Sequence, residues 1–283
     1  MAIRLEHIHP MFGSRVEGID LLNLTDSEFA EIEQAFRDRA VLVFPGQPMT
    51  DESQVSFSRR FGQLETTMVN DPSGGGDPVT RITNVDSDGN LVVPPEGERD
   101  WTEGNELWHT DSSFKATPAF ASILSGRVVT DEGGGTEFAT MVGAYEALPA
   151  DRRDELEGLV AEHSLAHSRS LLGMEMSSDF QAEIPPVKQA LIRDIPETGQ
   201  RTLYVGAHAS HVEDWPQDRG RILLDALNAW VTQPPFTFEH RWTQDDLLIW
   251  DNRRCLHRAR PFDRTKSKRV MHRTTVAGEE PTA

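Results

Sequence analysis

The stretch "LLIWDNRRCLHRARPF", Leu247–Phe262, decides how the chain is read. Leu247 to Trp250 are four apolar residues in a row, which suits a buried strand, and Asp251-Asn252 breaks the run. His257 follows where an extended run resumes, so the stretch predicts two strands with a histidine on the second. Runs of the same kind surround it: "FASILSGRVV" (120–129), "TEFATM" (136–141), "QALIRDI" (189–195), "TLYVGAH" (202–208), "FTFEHRW" (236–242) and "RVMHRTTV" (269–276). Two helical inserts, roughly 141–160 and 217–232, interrupt the series. Many short strands with a few helices predict an all-β core with peripheral helices, a sandwich or jelly roll.

The N-terminal part carries more helix. "TDSEFAEIEQAF" reads as a capped amphipathic helix with Phe29, Ile32 and Phe36 on one face. "AVLVF" is a buried strand stopped by Pro45-Gly46, and "TDESQVSFSRRFG" a second helix closed by Gly62. "TRITNVDSDGNL" reads as a strand entering a turn at Asp88-Gly89. Residues 70–78 and 93–104 are rich in turn formers and predict loops. With no repeat, linker or composition break, residues 1–283 are expected to form one domain.

A chain of 283 residues, 37% hydrophobic and 26% charged, has the composition of a folded globular protein. Its net charge of −18 argues against nucleic acid or an anionic membrane as partner, since both need clustered Lys and Arg. Arginine far outnumbers lysine, which fits either a high-salt cytoplasm or a GC-rich genome. No run is long and apolar enough to span a bilayer, and the start lacks a signal-like pattern. One cysteine, Cys255, allows no internal disulfide. A cytoplasmic protein is expected.

Upstream, "NELWHTDSSF" sets His109 and Asp111 two positions apart between Trp108 and Phe114. Neither polar group suits a core without a partner. With His257 they supply two imidazoles and a carboxylate, a set that can take one face of an octahedral Fe(II) and leave three positions open. The pair by itself is also compatible with an aspartate capping nearby amides, and His257 with an ordinary buried histidine. In "KRVMHRTTV", Arg269, Met271 and Arg273 alternate onto one strand face, so two guanidinium groups point the same way. They suit carboxylates, or an ion pair with Asp or Glu. Thr136, at the end of "GGGT", offers a hydroxyl to a bound carboxylate or is simply a β-branched strand residue.

Taken together, His109-x-Asp111, "GGGT" ending at Thr136, "WDNR" (250–253), His257 and "RVMHR" (269–273) resemble the Fe(II)/2-oxoglutarate dioxygenases of the taurine dioxygenase family. The resemblance is strongest to the 2,4-dichlorophenoxyacetate dioxygenase branch. It runs from "HPMFGSRVEGIDL" through "VLVFPGQPMT" and "GAHASHVE" (206–213) almost to the end. It implies a double-stranded β-helix fold, with His109, Asp111 and His257 binding Fe(II). It also implies that Arg269 and Thr136 hold the distal carboxylate of 2-oxoglutarate. Arg273, beside the metal, would hold the acid of a small anionic substrate. Asn105 matches a substrate-contacting position, and His208 and His211 are candidates for lining the pocket or for serving as structural donors. At Asn70 the herbicide-degrading enzyme has a lysine, so the substrate is expected to differ from an aryloxyacetate or to bind its acid through Arg273 alone. The implied reaction consumes O2 and 2-oxoglutarate, releases succinate and CO2, and hydroxylates a substrate C–H. With an aryloxyacetate the product collapses to a phenol and glyoxylate. The competing expectations are a sulfonate or alkyl-sulfate dioxygenase, and a non-catalytic cupin-like metal-binding protein. A homo-oligomer is expected.

Overall fold

The computed structural model describes residues 3–67, 75–95 and 99–282. The chain begins with β1 (Arg4–His7), β2 (Ser14–Glu17), α1 (Asp26–Arg39), β3 (Val41–Phe44), α2 (Asp51–Ser58) and β4 (Val79–Thr83). The middle holds β5 (Ala121–Val128), β6 (Thr136–Thr140), α3 (Met141–Glu146), α4 (Ala150–Leu156), β7 (Val160–His163), α5 (Leu165–Ser170), α6 (Ser178–Glu183) and β8 (Val187–Ala190). The last part holds β9 (Ile192–Ile195), β10 (Gln200–Leu203), β11 (Ala209–Val212), α7 (Gln217–Val231), β12 (Thr237–His240), β13 (Leu247–Asp251), β14 (Cys255–Ala259) and β15 (Val270–Val276).

A large sheet runs in the order β1-β2-β3-β13-β5-β15-β4, antiparallel except between β2 and β3. A smaller sheet, β12-β6-β14, faces it. The space between is filled by Phe138, Trp250, Leu248, Leu124 and Met271. The other face of the large sheet is covered by Phe29, Ile32, Phe36 and Phe57 of α1 and α2, packed on Leu247, Ile249 and Ile123. That double cover explains the unbroken apolar run of β13: Leu248 and Trp250 point to one layer, Leu247 and Ile249 to the other. Outside the small sheet, Leu256 and Ala139 pack against α3, α7 and the strands β7, β10 and β11.

The expected helices and strands form, with differences at their ends. Thr25 and Glu28 make the capping box of α1. Helix α2 stops at Ser58, short of Gly62, because Phe61 turns back onto Phe29, Phe36 and Phe57. The insert at 141–160 is two helices, since Pro149 stands between them. "QALIRDI" divides at Leu191, where the chain exchanges β7 as partner for β10. The strand in "TLYVGAH" ends at Leu203, ahead of Gly206. Gly206 has φ +129°, and a Cβ there would crowd the Cα of His109 at 3.3 Å. Within the expected loop 93–104, Trp101 begins a 3-10 turn, Trp101–Glu106, capped by Asp100.

His163 on β7 is buried and stacks on Tyr204, with ring centroids 5.5 Å apart. Neither ring nitrogen has a hydrogen-bond partner among the described residues. Burial, aided by the Arg193 charge, pushes its pKa from 6.5 down to about 3. Between those values the unfolded chain binds the proton and the native state does not. Stability therefore falls as pH drops through this window, by ~1.4 kcal/mol per pH unit for this group alone. His163→Phe keeps the stack and should flatten the acid side of a stability–pH curve by that slope. Urea unfolding across pH 6 to 4 measures it, and parallel curves for both proteins would show that His163 is not held neutral.

Candidate active site

His109 follows the 3-10 turn in an extended segment laid beside β14. Its N–H donates to the His257 carbonyl at 3.0 Å, and the His257 N–H donates back at 2.8 Å. Residues paired in this way send their side chains to the same face, and the two imidazole centroids lie 4.2 Å apart. Asp111, two residues on, returns to that face. Its Oδ1 is 3.8 Å from His109 Nε2 and its Oδ2 3.6 Å from His257 Nε2. One ligand atom from each residue lies within 4.8 Å of the others. All three residues are buried.

Neighbouring groups orient this set. His109 Nδ1 lies 2.7 Å from the Leu107 carbonyl. A carbonyl only accepts, so Nδ1 carries the hydrogen and Nε2 keeps its lone pair for a metal. Ser122 on β5 donates to Asp111 Oδ2 at 2.7 Å. Asn252 is fully buried: its Oδ1 accepts from the Asp111 N–H at 3.1 Å and from Trp250 Nε1 at 3.0 Å, while its Nδ2 donates to Ser122 at 2.9 Å.

Burial lowers the pKa of His109 and brings that of His257 well below 6.5. For Asp111, burial opposes ionisation, but Arg273, the two imidazoles and Ser122 outweigh it and hold the carboxyl below its usual range. The three groups thus rest as neutral, neutral and anionic, the protonation states a divalent metal requires.

Two cavities meet at this face. The inner one is lined by Thr136, Leu124, Trp250, His257, Arg269 and Arg273. Arg269 is buried, its Nε donating to the Gly134 carbonyl at 3.2 Å, and desolvation lowers its pKa to about 10, so it stays charged at neutral pH. Thr136 Oγ1 accepts from Trp242 Nε1 at 3.0 Å, which leaves its hydrogen to donate elsewhere. The outer cavity is lined by His109, Asp111, Phe114, Arg169, His208 and Trp101, among others. Asn105 and Arg273 line both.

Arg273 is not a free cation beside the metal face: its Nη1 donates to Asp111 Oδ1 at 2.6 Å. His208 is buried, shares a hydrogen bond with Ser113 Oγ at 2.9 Å, and lies edge-on to Phe114. Burial brings its pKa well below 6.5. His211 lines neither cavity; it sits on β11 with Nδ1 3.7 Å from Glu162 Oε1. Asn70 lies outside the described residues.

The family model for "Taurine catabolism dioxygenase TauD, TfdA family" matches residues 4–275. The chain belongs to this dioxygenase family. It is 41% identical to an alpha-ketoglutarate-dependent 2,4-dichlorophenoxyacetate dioxygenase of Cupriavidus pinatubonensis, covering 98% of each chain. It is 36% identical to an (S)-phenoxypropionate/alpha-ketoglutarate-dioxygenase of Sphingobium herbicidovorans, over 95% of this chain and 92% of that one. The crystal structure of AAD-2 in complex with Mn(II) and N-oxalylglycine superposes with a TM-score of 0.91 at 40% identity, covering 100% of this chain and 99% of that one. The two facing sheets are accordingly the family's jelly roll. Membership in a dioxygenase family also removes the reading as a non-catalytic metal-binding protein. The site fits Fe(II) and 2-oxoglutarate. A two-nitrogen, one-oxygen set in ligating protonation states stands beside an inner cavity with a buried guanidinium and a free hydroxyl hydrogen.

Sequence reading passed over Asn252, Ser122, Trp242, Arg169 and Trp101. Asn252 showed in the sequence as a strand breaker within "WDNR", and nothing local announced the buried hydrogen bonds that its amide makes. Asn252→Ala leaves the Trp250 and Asp111 N–H groups unpaired. That should cost about 2–4 kcal/mol in stability and weaken divalent metal binding roughly 10- to 100-fold. Urea unfolding and Mn(II) titration read the two effects; wild-type metal affinity in a folded variant would remove Asn252 from any role in placing Asp111.

Proposed function

We propose that the protein hydroxylates a C–H bond of a small anionic substrate, an aryloxyalkanoate-type carboxylic acid, with cleavage of its ether. The observation that carries this reading is the meeting of two cavities, each with a guanidinium, at one His-Asp-His face. The reading takes residues 1–283 as one catalytic domain, supported by a sheet that joins β1, β2 and β3 to β13 and β15. His109, Asp111 and His257 hold Fe(II). Bound there, Fe(II) supplies the O2 activation that couples decarboxylation of 2-oxoglutarate to substrate hydroxylation.

The chain's own groups place the reactants. Arg269 pairs with the distal carboxylate of 2-oxoglutarate in the inner cavity, and Thr136, oriented by Trp242, adds its hydroxyl hydrogen. Arg273 steadies the Asp111 carboxylate where the cavities join. The substrate enters the outer cavity, where Phe114 and Leu165 offer apolar wall and Asn105 and His208 offer polar contacts. Hydroxylation beside an ether oxygen yields a hemiacetal, which collapses to an alcohol or phenol and an oxo-acid. The names of the 2,4-dichlorophenoxyacetate and phenoxypropionate relatives support this substrate class.

Incubated with Fe(II), ascorbate, 2-oxoglutarate and phenoxyacetate, the protein should form succinate, phenol and glyoxylate in equal amounts. Succinate without phenol, or sulfite release from an alkanesulfonate in its place, would overturn the aryloxyalkanoate assignment. His109→Ala, Asp111→Ala and His257→Ala should each abolish turnover in a folded protein. Arg269→Ala should raise the KM for 2-oxoglutarate about 10- to 100-fold, and Arg269→Lys should recover only part of that, lacking the planar fork. An unchanged KM would place the distal carboxylate elsewhere.

A further inference from the structure

The segment that carries His109 and Asp111 ends in a turn. The Lys115 N–H donates to the Ser112 carbonyl at 2.9 Å, so the chain reverses directly after Asp111. Ser112 has φ +55°, in the left-handed region that a residue with a Cβ enters at a cost. Such a residue keeps that conformation only where its surroundings hold it there. Ahead of the turn, Asn252 steadies the segment through the Thr110 hydroxyl and the Asp111 N–H. The turn itself needs a second support.

Glu65 provides it. Ser112 Oγ donates to Glu65 Oε2 at 2.7 Å, and Lys115 Nζ donates to the same oxygen at 2.6 Å, so one carboxylate closes the turn from both ends. The Glu65 side chain is 13% exposed, and water screens these contacts little. Its backbone is fixed at the end of β15. The Glu65 N–H donates to the Thr275 carbonyl at 2.8 Å, and the Ala277 N–H donates to the Gln63 carbonyl at 2.8 Å. The same strand carries Arg273, which donates to Asp111 Oδ1. The turn's carbonyls have a support of their own: Gln189, fully buried, donates from Nε2 to those of Ser113 and Lys115, each at 2.8 Å. The Ser112 side chain rests on Glu65. Within the turn, Ser113 and Phe114 reach His208, so its shape also sets a wall of the outer cavity.

We propose that Glu65 is a positioning residue for the metal face: by holding Ser112 in the left-handed conformation it fixes where the chain turns, and so where Asp111 presents its carboxylate. The inference rests on the reading of His109, Asp111 and His257 as metal ligands. The Glu65 carboxylate acts through Ser112 rather than on a ligand itself. Its contribution should therefore vanish where residue 112 needs no holding. Glycine meets that condition, because it adopts positive φ with no Cβ to crowd. An ion pair with Lys115 that served only stability would be lost in the same way whatever stood at position 112.

The test titrates Mn(II) into the full chain, followed by calorimetry. Glu65→Ala should weaken Mn(II) binding about 5- to 30-fold, the left-handed penalty of one residue read as affinity. Ser112→Ala, which loses the hydroxyl and keeps the Cβ, should weaken it by a similar factor. Ser112→Gly added to Glu65→Ala should restore most of the lost affinity, although Lys115 still lacks its partner. Wild-type Mn(II) affinity in a folded Glu65→Ala protein, or a loss that Ser112→Gly leaves in place, would show that Glu65 does not position the metal face through Ser112. Should Glu65→Ala not fold, Ser112→Ala decides: weakened binding supports the role, and wild-type affinity rejects it. If His109→Ala binds Mn(II) as tightly as the unmutated protein, the ligand reading itself fails, and the positioning role with it. If His109→Ala loses the metal and Glu65→Ala does not, the ligand reading stands and Glu65 alone is excluded.

Discussion

The site depends on one backbone pair. His109 and His257 are far apart in sequence and exchange both of their main-chain hydrogen bonds across the end of the small sheet. That exchange fixes the separation and the facing of two imidazoles before any metal is considered, because opposed residues of an antiparallel pair share a face. Asp111 then needs only the period of an extended chain to join them. Gly206 explains part of how the 109 segment can lie so close: no Cβ stands between it and the chain that follows β10. A ligand set made this way is a property of the sheet, so the packing that forms the core also forms the site.

Asn252 links that pair to the large sheet. Its amide joins Trp250, Ser122 and the Asp111 backbone, which come from β13, β5 and the ligand segment. A buried amide with each polar atom bonded is tolerated in a core and fixes its neighbours in one arrangement. Here it also sets the carboxylate against Ser122, and Arg273 approaches from β15 on the other oxygen. Burial alone would favour a neutral Asp111. The surrounding donors reverse that preference, while the same burial keeps His109 and His257 neutral. One environment therefore prepares both kinds of ligand, through groups on three different strands.

Much of this was legible in the sequence, for reasons that are local. Strand β13 showed itself because both of its faces are covered, and α1 because Thr25 and Glu28 sit at capping spacing ahead of an apolar stripe. The His-x-Asp step and the distant histidine were visible because the ligand types are few and the strand period is short. What escaped depends on contacts between distant segments. Nothing near Trp101 announces that its ring will cover Arg169, about seventy residues later in the chain. The turn beginning at Trp101 lies in a stretch whose composition reads as loop. Likewise, Arg273 alternated correctly with Arg269, yet alternation does not tell which carboxylate it will meet. His211 shares a short segment with His208, but β11 turns it toward Glu162 and away from the cavities.

The distribution of charge completes the physical picture. The chain carries a net charge of −18, yet three arginines that line the two cavities, Arg169, Arg269 and Arg273, are drawn inside or partly inside. An acidic exterior disfavours the approach of an anion, and screening by salt lessens that effect over a Debye length. Within the inner cavity the balance reverses, because the Arg269 guanidinium, against the Gly134 carbonyl, has lost much of its water and interacts strongly with a carboxylate that replaces it. Desolvation has already lowered the pKa of Arg269 to about 10, a sign that the folded chain holds this charge at a cost in stability. A dicarboxylate that pairs with it relieves that cost. Anion binding and local stability are thus linked: the ligand that completes the inner cavity should also tighten the strands that carry it.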